Sequence, residues 1–565
     1  MEAQTPLQPA ARGGAIQRVD FDPVSRVAGA LSFHTAVDLD SRTVVESASM
    51  ATMFRGYEII LSGRDVRDAI FIASRACGVC GGAHATCSAL ACEMAFGIHP
   101  PPMGIAARNL MSAIECLYDY PLQLFVRAGP DYSESTIRLT SPELWLRAER
   151  TPAPGRATHG FERISDIMTA LTRVTGPLYL EALRMARVAR EAYVLIGGKY
   201  PHPQTMVPGG VSSTIDTSDL SLMLLRVGRF FDYAKRTVAI WDDVVDFFHE
   251  ADPRYGEVGA GPKNFIDLGQ WDDPFAYDGT FENCSAWGER RWATPGAIVD
   301  GSLSTTALPE INARVEEFVD HSFYEEWRAR GARAADPVGD RLAANHPANK
   351  QTLPRPAETS LRGEYSWSTA PRWDRHAMET GAYARLWTTA LANKLPHRRF
   401  IDPTGHSLKL AVPQGGLPAT ELEWHPPERW GTFERTRARA YAFAYSALVA
   451  YEQVLIAMDL KRIGEARIFT DYKIPKDARA GTGFWGSGRG YLSHHMTVDN
   501  GVIENYQILA PSTWTASPRD ASGKPGPCEQ AVTATPLRVR GPQEGYIDIL
   551  RTIRSFDPCM SCATH

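Results

Sequence analysis

The chain has 565 residues, of which 44% are hydrophobic and 22% charged, with a formal net charge of −5. This is the composition of an ordinary globular protein, with no basic excess to suggest nucleic acid and no acidic tail. No apolar run reaches the roughly 18–20 residues of a membrane span. The opening MEAQTPLQPAARGGAIQ is polar and lacks the apolar middle of a secretory signal, so a cytoplasmic location is expected unless partner subunits hold the protein at a membrane.

In chain order, residues 1–17 read as a flexible N-terminus and 18–565 as one large body. Alternation in ALSFHTAVDLD makes 21–50 a set of short strands. From Tyr57 to Ile98 the pattern is helical, interrupted by CGVCGG. MGIAARNLMSAIECLYDYPLQLFV and YLEALRMARVAREAYVLIGG read as helices, the latter closed by a Gly-Gly pair. Two longer helices follow, SDLSLMLLRVGRFFDYAKRTVAIWDDVVDFFHE and TFERTRARAYAFAYSALVAYEQVLIAMDLKRIG, the second polar first and apolar later. Between 252 and 310, and again between 330 and 380, Gly, Pro and Trp are dense, which suggests long ordered loops with short strands. MTVDNGVIENYQIL predicts a hairpin turning at Asp499-Asn500-Gly501. The expected fold class is mainly α with small β-sheets (α+β), built on a central bundle of long helices.

Nine cysteines are present. Cys77-x-x-Cys80, followed by His84, lies near the start, and Cys559-x-x-Cys562, followed by the last residue His565, at the end. Two pairs make four thiolates, a ligand set for zinc, iron–sulfur or another soft metal. The pairs stand 482 residues apart, whereas zinc ribbons draw their pairs from within tens of residues. Spacing alone leaves a catalytic metal centre, a closed structural zinc site and two separate redox pairs all open.

Further motifs favour the first. R-x-C-G-x-C-x-x-x-H around Cys77 and D-P-C-x-x-C-x-x-H at the end resemble the two signature motifs of the large subunit of nickel–iron hydrogenases. DPVSRVAGALSF, MFRGYEIILSGRDVRDA, IGGKYPHPQTMVPGGV, YSWSTAPRWD, GSGRGYLSHH and NYQILAPSTWTASPRD resemble further blocks of that family, in its order. The resemblance implies heterolytic cleavage of H2 to two protons and two electrons at a nickel–iron centre. Cys77 and Cys559 match terminal nickel ligands, and Cys80 and Cys562 the bridging ones, with carbon monoxide and cyanide on the iron. Arg489 matches an arginine above the open metal position, and Asp119 and Asp557 the acids that orient it. Ser512 matches a residue bonding an iron cyanide, His84 one tuning a cysteine sulfur. Glu58, His565 and the backbone carbonyl of Ala510 match ligands of a magnesium or other divalent ion, with Gln507 behind them. His202 matches a histidine facing the small subunit.

Four departures stand out. Ala28 lies where the family has a proton-relaying glutamate, Gly488 where it has proline, Tyr120 where it has histidine and Thr369 where it has lysine. HATCS and Ala28 are more similar to the actinobacterial-type, high-affinity uptake branch. Cys87, Cys92, Cys116, Cys284 and Cys528 form no ligand pattern and are expected as buried thiols. They are too few and scattered to build an iron–sulfur chain, so electrons are expected to leave through a separate iron–sulfur small subunit, in a dimer of heterodimers or a larger assembly. The family is made with an extension cut after the final histidine, so a mature or a never-extended end is expected at His565. A hydrogen-sensing regulatory subunit and a structural four-cysteine zinc protein are the rival expectations.

Overall fold

Four long helices form the centre of the computed structural model, which describes residues 15–325, 342–343, 345–355, 363–396, 398–533, 535–538 and 546–565. Of the segment expected to be flexible, residues 1–14 lie outside this set. Ile16 and Gln17 already pair in the first strand, β1 (Ile16–Phe21), beside β2 (Leu31–Asp38) and β3 (Thr43–Ala51) in one antiparallel sheet. Part of the loop region expected between 330 and 380 also lies outside the described residues.

The short helix α1 (Tyr57–Leu61) and α2 (Gly81–Phe96) frame the first cysteine pair. Next come α3 (Pro102–Pro121), α4 (Pro177–Gly197), α5 (Thr217–Ala251) and α6 (Thr432–Arg462), which pack side by side. Proline at the first position starts both α3 and α4, where its missing N–H costs nothing. Asp216 starts α5 by accepting the amides of Ser218 and Asp219, while the Asp219 carboxylate accepts the Asp216 N–H. Gly198, at φ 69°, ends α4 as the Gly-Gly pair predicts.

By length and composition α6 could cross a membrane. It is instead a core helix, packed against α3 and α5, and its buried alanines at 440, 442, 444, 447 and 450 allow close approach. Its polar first turns are buried as well. Arg435 is fully buried because Glu379 binds it through two bonds of 2.6 and 2.9 Å and Gly259 accepts a third at 2.7 Å.

At the edge of this bundle lies the sheet β4 (Arg479–Ser487), β5 (Gly490–Asp499) and β6 (Val502–Leu509), whose last two strands form the predicted hairpin. Its strand β4 packs backbone-to-backbone on α2: a Cβ on Gly483 would meet the Cys87 carbonyl oxygen at 1.9 Å. The chain then passes through α7 (Pro511–Thr515) and α8 (Ile547–Ser555) to α9 (Met560–Ala563). Shorter helices at Cys284–Glu289 and Ala382–Ala392, and the sheet of Ile401–Pro403, Leu408–Val412 and Thr420–Trp424, carried no clear sequence signal.

The α2–β4 contact sets where the first cysteine pair stands, so Gly483→Val should lower stability by at least the ~1–3 kcal/mol of overpacking. Thermal unfolding checks this, and an unchanged midpoint would remove the close approach as a constraint.

Candidate metal centre

Each cysteine pair is fixed by backbone geometry at the start of a helix. Cys77 lies in the turn before α2, and its Sγ accepts the amides of Val79 at 3.3 Å and Cys80 at 3.1 Å. At the other end, Cys559 precedes α9, and its own N–H donates to Ser512 Oγ at 2.8 Å. The N-terminal segment clamps this end: Ala28 donates to the Pro558 carbonyl at 3.2 Å, and Met560 donates to the Ala28 carbonyl at 2.7 Å. Gly29 (φ 84°) follows, where a Cβ would stand 2.9 Å from the Ser561 nitrogen, so glycine is needed for the close approach.

The four sulfurs of Cys77, Cys80, Cys559 and Cys562 all lie within 4.8 Å of one another. Cys77 and Cys559 are 3.4 Å apart, Cys80 and Cys562 3.1 Å, Cys559 and Cys562 3.2 Å. All four are buried. Hydrogen bonds from Cys562, Cys77 and Cys80 hold the Cys559 thiol well below its ordinary pKa, against burial and helped by Arg489. Cys80 is pushed well above its own, by hydrogen bonding to Cys559 first and burial later. Four soft donors at this spacing suit a thiolate-loving metal such as nickel, iron or zinc.

Over the cluster sits a buried charge network. Arg489, from the β4–β5 turn, pairs with Asp119 Oδ2 at 2.9 Å and Asp557 Oδ1 at 3.0 Å, and its Nε donates to the Asp557 carbonyl at 3.1 Å. Burial alone would lower the Arg489 pKa, but Asp119, Asp557 and the Cys559 and Cys80 sulfurs outweigh it and raise it well above its usual value. Arg127 joins from below the end of α3, 3.2 Å from Asp119 and 3.3 Å from Asp557. It projects from a π-helical continuation of α3, Leu122–Ala128, a wider turn found often at functional sites. Asp557 takes φ 54°, a left-handed conformation that aspartate tolerates.

A second set lies at the chain's end. Glu58 Oε1 accepts the Ile508 amide at 2.8 Å and lies 3.3 Å from His565 Nε2, while Thr352 donates to Glu58 Oε2. His565 Nδ1 bonds the Cys562 carbonyl at 2.6 Å. Burial would raise the Glu58 pKa, but Lys350, His565 and Thr352 together pull it down to about 2. Gln507 exchanges hydrogen bonds with Thr352. Ala510 is buried at the start of α7, and its carbonyl oxygen accepts the Thr513 amide at 3.1 Å, leaving one lone pair.

His84 is fully buried, bonds His494 at 3.0 Å, and leaves Nε2 without a protein partner. His494 in turn meets the Tyr506 hydroxyl at 2.7 Å. Ser512 holds the Cys559 backbone, a contact the sequence does not reveal. His202 stands against the first pair, its Nδ1 2.5 Å from where a Gly81 Cβ would be. Thr369 donates to Glu317, and Lys350, from another segment, reaches the same carboxylate at 3.0 Å. Cys87, Cys92, Cys116, Cys284 and Cys528 are buried thiols, away from the four-sulfur cluster. Arg127, Lys350, Thr352 and Glu115 escaped the sequence reading. Only Glu115 carried a signal, standing one helical turn before Asp119 on α3.

Comparison with known proteins accords with this geometry. The family described as nickel-dependent hydrogenase matches residues 55–142 and 169–565. The quinone-reactive Ni/Fe-hydrogenase large chain of Wolinella succinogenes is 29% identical, over 97% of this chain and 96% of its own. The uptake hydrogenase large subunit of Rhizobium leguminosarum bv. viciae is 30% identical, over 97% and 95%. Among solved structures, the actinobacterial-type NiFe-hydrogenase from Ralstonia eutropha H16 is similar with a TM-score of 0.94 and 40% identity, covering 97% of this chain and 100% of that one. A cluster of four buried cysteines built from both chain ends and a match across most of the length lead to one conclusion: this chain belongs to the nickel-dependent hydrogenase family, as a large, catalytic subunit.

Proposed function

We propose that this subunit oxidises H2 by heterolytic cleavage at a nickel–iron centre held by Cys77, Cys80, Cys559 and Cys562. The observation that carries the reading is the convergence of these four sulfurs beneath Arg489. The donor set fits the centre: four buried thiolates are tolerable only around cations, and two metals neutralise them. A thiolate-bound metal with an open position supplies the Lewis acid that polarises H2, a molecule with no charge or dipole to grip. Carbon monoxide and cyanide on the iron would belong to this reading, and Ser512 is the residue that would hydrogen-bond a cyanide.

The chain's own residues then supply position and charge. Arg489 is fixed by three contacts, so its guanidinium faces the cluster without reorganising. Asp119 and Asp557 hold it, and Arg127 prevents their negative charge from accumulating. His84 Nε2 is the free donor for a cluster sulfur. Glu58, His565 and the Ala510 carbonyl hold a magnesium or other divalent ion, whose hard character suits carboxylate and carbonyl oxygens. Electrons leave through an iron–sulfur small subunit that docks near His202, in a dimer of heterodimers or larger assembly, in the cytoplasm or held at a membrane by partner subunits.

The purified subunit should contain nickel, with one iron per nickel beyond any iron in the iron–sulfur partner's clusters, and show infrared bands of metal-bound carbon monoxide and cyanide. Zinc without nickel, and no such bands, would sink the proposal. Arg489→Lys keeps the charge but loses the planar fork, and H2 oxidation should fall about 100-fold with metal content unchanged; wild-type turnover would end the role given to Arg489. Glu58→Ala should release the divalent ion and lower the thermal midpoint, both read on the purified protein. Ser512→Ala strands the buried Cys559 amide and should cost about 1–3 kcal/mol in chemical denaturation.

A further inference from the structure

On the reading above, H2 cleavage releases protons into a site whose cysteines, Arg489, Asp119 and Asp557 are all buried, so a group inside must accept them. The two aspartates are already committed: each pairs with both Arg489 and Arg127, the contacts that orient Arg489 over the cluster. Ala28, whose backbone brackets Cys559, has no ionisable side chain.

Glu115 is placed differently. It is 4% exposed, and it accepts the Gly82 amide at 2.9 Å on Oε2 and the Ala83 amide at 3.3 Å on Oε1. Those amides open α2 directly after Cys80. Among the described residues Glu115 makes no ion pair. The titratable groups facing it are Asp119, Arg489, Cys116, Tyr193 and Tyr200. Burial, chiefly, raises its pKa to about 8, against the two amide bonds and Arg489 and aided by Asp119. Acid and carboxylate are therefore both within reach near neutral pH.

On its far side lies a second observation. A Cβ on Gly82 would stand 2.3 Å from Glu115 Oε2 and 2.5 Å from the Tyr193 hydroxyl, so both oxygens border one space that only glycine leaves open. The Tyr193 hydroxyl is buried and makes no hydrogen bond in the protein. Its ring packs on Tyr200 at 5.0 Å between centroids, and Tyr200 packs on the half-buried Tyr118 at 4.6 Å. Three packed phenol rings thus run from Glu115 toward partly exposed ground, the Tyr200 hydroxyl donating to the Val79 carbonyl at 3.2 Å.

We propose that Glu115 is a proton carrier of this centre, taking the proton released at the cysteine cluster and passing it to the Tyr193 side. An O–H bond forms on the Glu115 carboxylate and the same bond breaks when the proton moves on; no electron is transferred. Burial raises the Tyr193 pKa well above its usual value, so its hydroxyl stays protonated; the Glu115 O–H breaks by giving its proton to a water molecule in the space beside the two oxygens, the hydronium carries it to solvent, and Tyr193 orients that exchange without becoming a phenolate.

The test uses the complete enzyme with Glu115→Gln, Glu115→Asp and Tyr193→Phe, and it rests on the hydrogenase reading. Nickel content and the carbon monoxide and cyanide bands are measured first; their absence from wild type overturns that reading, and this inference with it. With the bands present, infrared difference spectra between acid and alkaline pH should show a neutral-carboxyl band in wild type that Glu115→Gln lacks. H2 oxidation should fall about 100-fold in Glu115→Gln, partly recover in Glu115→Asp, and fall less in Tyr193→Phe. The limb of the pH profile near 8 should vanish in Glu115→Gln. An unchanged carboxyl band, or a wild-type rate and pH profile in Glu115→Gln, would overturn the assignment. If Glu115→Gln does not fold, a Tyr193→Phe enzyme with wild-type rate and solvent isotope effect overturns it as well.

Discussion

Four thiol groups packed within 4.8 Å and shut away from water are the constraint on which the rest of the structure depends. As thiolates they repel one another, and an uncompensated buried charge costs several kcal/mol. The stable solution is to surround them with positive charge, from metal ions at the centre and from Arg489 above. The Arg489 pKa, raised by Asp119, Asp557 and the nearby sulfurs, is the protein's share of that neutralisation. Its two acids are themselves balanced by Arg127, so the layer over the cluster is a closed exchange of two guanidiniums and two carboxylates.

The same constraint explains why the last residues, 546–565, are ordered. A terminus normally frays, because few contacts oppose its entropy. Here the last residues carry two of the sulfurs, and His565 lies within ion-pair reach of Glu58. The Ala28 strand closes over them through two backbone bonds to Pro558 and Met560. Ligation energy at the centre is therefore folding energy for the C-terminal segment and for the Ala28 segment packed on it. The long helices contribute rigidity: α3 carries Asp119 and, through its π turn, Arg127, while α2 starts at Cys80.

What was legible in the sequence follows from how each feature is encoded. The cysteine pairs and the final histidine stand out because local spacing is written directly in the chain. Long helices were visible through period and caps, as with Asp216 and Gly198. The hairpin at Asp499-Asn500-Gly501 was visible through turn chemistry. Arg127 was not, because a π turn shifts the register by which a helix face is projected, and ordinary 3.6-residue counting misplaces it. Nor was the burial of Arg435, whose partner Glu379 comes from a distant segment. Lys350 and Thr352 come from a stretch with no periodic pattern, and only the folded chain brings them beside Glu58 and Glu317. The short helices and the small sheet between 284 and 424 are fixed by tertiary packing, which single-chain propensity does not contain.

Ala28 shows how such a site separates backbone from side-chain function. Its amide and carbonyl hold Pro558 and Met560, so the position is structurally required whatever side chain it bears. Methyl in place of an acid leaves this clamp intact and removes only an ionisable group. A proton freed beside Cys559 must then leave by another face of the cluster. The Cys80 face offers one, because its helix begins with two buried amide donors that hold a carboxyl without fixing its charge. Amides stabilise a carboxylate by hydrogen bonding but carry no net charge, so burial can still lift the pKa of Glu115, whereas Asp119 and Asp557 are tied by ion pairs to the guanidinium they orient. The carboxyls that orient Arg489 are thus held by guanidiniums, and the one assigned to proton transfer is held by backbone N–H groups.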